Sequence, residues 1–106
     1  MNIGLLGGSF DPIHKGHIEI ASEAITSLSL DSFYFIPTKN NPWKDNQNAP
    51  GAIRKEMIEI AIHQDPKMKV CTIELDSLSN EKNYTIDTIH ALKKMYPDDT
   101  FLDPGE

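Results

Sequence analysis

The chain has 106 residues, enough for one small domain with a modest core. Sixteen acidic residues against ten basic ones leave a formal net charge of −6, which argues against a general polyanion binder, so no nucleic-acid partner is expected. The single cysteine, Cys71, cannot form an intramolecular disulfide, no charged leader opens the chain, and its longest apolar run, Phe33 to Ile36, falls far short of the ~20 residues that cross a bilayer. A cytoplasmic protein without a membrane partner is expected, and assembly into a homo-oligomer is left open.

Asn2 to Leu6 reads as a short buried strand, and a glycine-rich turn beginning Gly7-Gly8-Ser9-Phe10 leads from it into a helix over Gly16 to Leu30. Ile18, Ala21, Ala24, Ile25 and Leu28 recur at helical spacing there, with Glu19 and Glu23 toward solvent. Phe33 to Ile36 is a continuous apolar strand ended by Pro37. The polar loop from Thr38 to Asn48 carries four asparagines, Asn40, Asn41, Asn46 and Asn48, and suits either a substrate lid or an ordinary surface connection.

A second helix is predicted from near Pro50 to about His63, with Ile53, Met57, Ile60 and Ala61 on its apolar face, and Asp65-Pro66 closes it. Met68 to Leu75 reads as a third strand that holds Cys71 as a buried free thiol, followed by a polar loop from Asp76 to Asn83. A third helix spans roughly Thr85 to Tyr96, with Thr85 as its N-cap, Asp87 in the first turn, and Lys93 and Lys94 in the last. A fourth strand has barely begun at Phe101. Alternation of strand and helix implies a parallel sheet with right-handed crossovers: an α/β, Rossmann-like, doubly wound single domain over residues 1–106. Its ligand belongs beyond the carboxyl ends of the strands, where the Gly7-Gly8-Ser9-Phe10 turn lies.

That turn has the chemistry of a phosphate site. Small residues at Gly7 and Gly8 let backbone N–H groups approach a ligand, and the following helix start adds unpaired donors and a partial positive charge. His14 and His17, three apart across that helix start, can both donate hydrogen bonds to phosphate oxygens. Two such histidines could also share a metal ion, but no third ligand with suitable spacing stands out, and no protein metal site is expected. Lys15, Lys39, Lys44 and Arg54 collect positive charge near the same loops despite the acidic whole. His63 and His90 read as helix-surface residues without a role.

The segment Gly7-Gly8-Ser9-Phe10-Asp11-Pro12-Ile13-His14-Lys15-Gly16-His17 resembles the (H/T)xGH phosphate-binding motif of the nucleotidyltransferase superfamily, in the version seen in bacterial nicotinate-nucleotide adenylyltransferases. Ile36-Pro37 with the loop to Lys44 resembles that family's second segment, Arg54-Lys55-Glu56-Met57 its Arg-x-x-Met helix start, and Asn83-Tyr84-Thr85-Ile86-Asp87-Thr88 its (S/N)YT-x-(D/E)T segment. The resemblance implies adenylyl transfer from ATP to nicotinate mononucleotide, with Mg²⁺ accompanying the ATP phosphates. It implies His17 on the α-phosphate and His14 on the β- or γ-phosphate as the catalytic pair. Backbone amides of Gly8, Ser9 and Phe10 would complete the phosphate cradle, Lys44 would add a point charge, and Tyr84 and Thr85 would receive the pyridine carboxylate.

The family's Gly-x-Asp turn should fall near Asp103, where Asp103-Pro104-Gly105-Glu106 does not match it, and its later Ile-Ser-x-x-x-x-Arg phosphate clamp does not occur. The chain is therefore expected to be the N-terminal part of a longer protein, truncated after the start of the fourth strand. Trp43 stands where many members carry another residue, so no contact transfers to it. The alternatives are a nucleotide-binding fragment without turnover and another adenylyltransferase, such as pantetheine-phosphate adenylyltransferase.

Overall fold

A computed structural model describes residues 1–8, 10, 12–38, 50–73, 75 and 85–102, without the side chains of 85–89 and 102. Among the described residues four strands and three helices alternate: β1 (Asn2–Gly8), α1 (Lys15–Ser27), β2 (Ser32–Pro37), α2 (Gly51–Ile62), β3 (Met68–Val70), α3 (Thr85–Met95) and β4 (Thr100–Leu102). All pairings are parallel and the order across the sheet is β3-β2-β1-β4. The chain steps outward from β1 to β2 to β3, then returns to the other side of β1, so the order reverses between β1 and β4. In open sheets of this kind ligands bind in the crevice at such a reversal.

The two-residue period of the strands divides the core in two. Phe33 and Phe35 of β2 face one way and pack with Ala21 and Ala24 of α1 and Ile58 and Ile62 of α2. Ile36 faces the other way with Ile3 and Leu5 of β1, Leu92 of α3 and Phe101 of β4. Gly4 makes the first layer possible: a Cβ built on it would lie 2.5 Å from Cδ2 of Phe33 and 2.6 Å from Cδ1 of Leu30. Its missing side chain lets that phenyl ring lie across β1.

Several boundaries differ from those read in the sequence. β1 runs on through Gly7 and Gly8, which pair with Ile36 and Pro37, so both glycines belong to the strand rather than to a turn. α1 stops at Ser27. Leu28 caps it, Ser29 takes the left-handed conformation (φ 53°), and the Leu30 N–H donates back to the Ile25 carbonyl at 3.0 Å. This is a Schellman-type ending, so Leu30 is buried (2% exposed) as the hydrophobic residue beyond the cap and not as part of the helix.

α2 buries Arg54, Ile58 and Ile62, whereas Ile53 and Ile60 are 48% and 71% exposed and Ala61 is also exposed. An arginine within the buried stripe hid that face from a reading based on apolar spacing. β3 is three residues long rather than eight. Cys71, half-buried, donates its N–H to the Phe35 carbonyl at 2.8 Å, and the next rung of a parallel ladder would require an N–H from Pro37, which has none. α3 begins at Thr85 itself, so Thr85 is the first helical residue rather than the N-cap.

Candidate functional site

β1 delivers the chain to the carboxyl edge of the sheet beside the reversal, and α1 begins seven residues after the strand's last residue, Gly8. The edge is fastened across two strands: the Thr38 N–H donates to the Gly8 carbonyl at 2.9 Å and the Thr38 hydroxyl reaches the same oxygen at 3.4 Å. The start of the second loop is thus tied to the start of the first.

His14 is the N-cap of α1, in an extended conformation (φ −137°, ψ 177°). Its Nδ1 accepts the Gly16 N–H at 3.0 Å, and the Nδ1 of His17 accepts the His14 N–H at 3.0 Å. The two side chains therefore form a reciprocal capping box in which imidazole nitrogens do what serine and glutamate usually do. The rings stack with centroids 3.8 Å apart and planes 29° from parallel. Because each Nδ1 accepts a hydrogen bond, the proton of each neutral imidazole sits on Nε2, leaving two adjacent Nε2–H donors at a helix N-terminus. That is a pair of donors suited to two oxygens of a polyphosphate.

Electrostatics favours the neutral form of one of them. Partial burial pushes the His17 pKa below the ordinary 6.5, and the neighbouring His14 pushes it the same way. His17 is half-buried beneath the outer, exposed His14, with Ile13 and Ile18 on either side of the pair packed into the first core layer.

Of the residues predicted from sequence, the structure brings His14, His17 and Phe10 together next to Gly8. Ser9, Lys44 and Tyr84 lie outside the described residues, as do Lys39 and Trp43; Thr85 is described by its backbone, as the first residue of α3. Arg54 is 1% exposed, with its guanidinium turned toward the start of α2, 3.5 Å from where a Cβ on Gly51 would stand. His63 and His90 are exposed on their helices. Thr38 is a contributor that sequence reasoning passed over; its signal lay in the strand register, which sets the residue after Pro37 against the end of β1. Among the described residues no group of three or more histidine, cysteine, aspartate or glutamate side chains could hold a metal ion.

A separate groove of about 440 Å³ lies between α3 and β3, lined by Tyr34, Cys71, Leu92, Met95 and Tyr96 among others; of the described candidate site residues, Gly8, Phe10, His14 and His17 are not in its lining. Burial there raises the Tyr34 phenol above its usual value, helped by Cys71, Tyr96 and Asp99.

Residues 5–103 match the cytidylyltransferase-like protein family, a span that includes all four strands and three helices except the first residues of β1. The chain belongs to the cytidylyltransferase-like family. Among curated relatives it is 45% identical over 101 residues to the probable nicotinate-nucleotide adenylyltransferase of Shouchella clausii, covering 94% of this chain and 52% of that one. It is 41% identical over 102 residues to the protein of the same description from Exiguobacterium sibiricum, covering 96% and 53%. Among solved structures, Plasmodium falciparum nicotinic acid mononucleotide adenylyltransferase complexed with NaAD superimposes with a TM-score of 0.74 at 26% identity, over 96% of this chain and 50% of that one. The same enzyme complexed with APC gives 0.73 at 25% identity, over 96% and 49%. The chain thus spans about half the length of the relatives it matches. No helix among the described residues is long and apolar enough to cross a membrane.

Proposed function

We propose that the chain carries the nucleotide-binding and catalytic histidines of an adenylyl transfer from ATP to nicotinate mononucleotide, giving nicotinate adenine dinucleotide and pyrophosphate in NAD biosynthesis in the cytoplasm. The observation that carries the reading is the stacked, mutually capped His14–His17 pair at the sheet reversal, in a chain 45% identical to a protein named as such an adenylyltransferase.

In the reaction, an oxygen of the mononucleotide phosphate attacks the α-phosphorus of ATP. A new P–O bond forms, the bond from that phosphorus to the bridging oxygen breaks, and the oxygen leaves with pyrophosphate. The attacking phosphate is already ionised at neutral pH, so the protein needs donors and alignment rather than a nucleophile or a base. His17 Nε2–H faces the α-phosphate oxygens, where charge shifts during transfer, and His14 Nε2–H holds the β- or γ-phosphate. Backbone N–H groups of Gly8, Ser9 and Phe10 complete the cradle, and the Lys44 ammonium adds a charge from the second loop. Mg²⁺ arrives as part of the substrate, on the ATP phosphates. Tyr84, and Thr85 at the start of α3, receive the nicotinate carboxylate, which a helix N-terminus favours over a carboxamide.

The test is pyrophosphate release by the purified chain with Mg-ATP and, in turn, nicotinate mononucleotide, nicotinamide mononucleotide and phosphopantetheine. Release with the nicotinate compound, lost in His17→Ala, is the expected result. ATP binding with no release from any acceptor would overturn the reading in favour of a binding module, and full activity of His17→Ala would remove its assigned role.

A further inference from the structure

The phosphate cradle draws on the backbone of Phe10 and leaves its side chain without a task, yet that side chain is tightly specified. Phe10 takes a left-handed backbone (φ 47°) with its ring 2% exposed. A bulky residue rarely adopts this conformation, and it persists where surrounding packing over-determines it. The ring meets Phe35 edge-on with centroids 5.6 Å apart and planes at 82°, and meets His17 the same way at 4.9 Å and 75°. It also covers Gly8, where a Cβ would stand 3.4 Å from its Cζ.

His17 is thereby held in three ways: its Nδ1 by the His14 N–H, one face by the His14 ring, and its side by Phe10. Of these, the first two depend on His14, an exposed residue, whereas Phe10 is the ring contact, among the described residues, that ties the imidazole to the core. The torsion that orients a histidine ring is broad and roughly two-fold, so a ring without such a wall can turn over and exchange Nδ1 for the other edge.

We propose that Phe10 is a positioning residue for His17, its buried ring fixing the imidazole in the orientation that presents Nε2–H to the transferring phosphate before substrate arrives. The role rests on the adenylyl-transfer reading above. Fixed donors need no reorganisation during transfer, which is how such groups contribute most to rate.

The experiment compares the chain with Phe10→Leu and Phe33→Leu, all labelled with ¹⁵N-histidine. Phe33 is as deeply buried, and its ring packs against Phe35 on the same face of the sheet. The unsubstituted chain should show nuclear Overhauser contacts between the Phe10 and His17 rings and a single Nε2–H tautomer for His17 at neutral pH. Phe10→Leu should convert that signal to a tautomer mixture and lower kcat for pyrophosphate release about tenfold or more, with KM for Mg-ATP within about twofold. Phe33→Leu should lower Tm and leave the His17 signal unchanged. An unchanged His17 signal in Phe10→Leu, or an equal change in Phe33→Leu, overturns the proposal. Should Phe10→Leu not fold, the unsubstituted chain decides: absent ring contacts or mixed tautomers overturn it, and ring contacts together with a single Nε2–H tautomer support it. A chain that releases no pyrophosphate contradicts the adenylyl-transfer reading, while the tautomer comparison still decides the positioning of His17.

Discussion

A Cβ added to Gly16 would lie 2.9 Å from Cε1 and 3.1 Å from Nδ1 of His14, so the glycine between the two histidines is what lets the first imidazole fold back and accept the Gly16 N–H. The spacing His-x-Gly-His is thus a steric requirement as well as a pattern. In Gly16→Ala the His14 ring must swing out, and its stack with His17 is lost with it. Alanine itself favours the helix, so Tm should hold or rise slightly. Affinity for Mg-ATP, measured by calorimetric titration, should fall about tenfold, as expected for losing a hydrogen bond to a charged group. Retained affinity would mean that His14 does not need its capping position to bind.

His17 should titrate below the ordinary value of 6.5 when followed by NMR, because burial and then His14 disfavour its charged form. His14→Ala removes both a neighbouring positive charge and the stacked ring that shields His17 from water. The His17 pKa should therefore move up toward 6.5 while the His14 backbone N–H, still present, keeps its hydrogen bond to Nδ1. The linkage sign follows. A histidine whose folded pKa is depressed contributes stability above its unfolded value, and that contribution fades as pH falls through the folded one. Urea midpoints measured downward from pH 7 should decline less steeply in His17→Gln than in the unsubstituted chain.

Two glycines of β1 should respond differently to alanine. Gly4→Ala forces a methyl group to within 2.6 Å of Phe33 and Leu30 in a packed layer, and overpacking of this kind costs about 1–3 kcal/mol. In a domain this small that lowers Tm by roughly 4–8 °C per kcal/mol. Gly8→Ala meets the Phe10 ring at 3.4 to 3.6 Å, an ordinary contact, so its Tm should stay close to that of the unsubstituted chain. A loss of Mg-ATP affinity in Gly8→Ala alone would place the phosphates against that backbone, and unchanged affinity would take Gly8 out of the cradle.

The buried face of α2 can be tested by paired truncations. Ile58 is fully buried, and Ile58→Ala should destabilise by about 2–4 kcal/mol in denaturant unfolding. Ile60 is 71% exposed, and Ile60→Ala should change stability by no more than about 0.5 kcal/mol. Equal losses at the two positions would contradict the orientation of the helix.

Much of this architecture is legible along the chain. The alternation of apolar strands with amphipathic segments identifies the α/β class, and Pro37 marks the end of β2 because proline cannot extend a ladder. Less legible were the places where two elements share one requirement. Leu30 carries the apolar character of α1 beyond its end, and no spacing rule separates a buried residue after a Schellman ending from one more helical turn. Arg54 interrupts the buried stripe of α2, so the exposed Ile53 and Ile60 looked like the core face. The early end of β3 is a property of its partner: the missing N–H belongs to Pro37, thirty-odd residues away.

The candidate site divides in the same way. That two histidines and a glycine stand at a strand-to-helix junction followed from local order alone, because cap, glycine and histidine spacing are short-range chemistry. Tertiary structure decided how they are arranged. Parallel pairing carried Gly7 and Gly8 into β1 and set Thr38 on the Gly8 carbonyl, the strand order put the histidines beside the β1–β4 reversal, and the core behind them placed Phe10 against His17. Local sequence specifies torsions and caps, whereas ring orientation and burial depend on contacts between segments far apart in the chain, which exist only once the sheet has assembled.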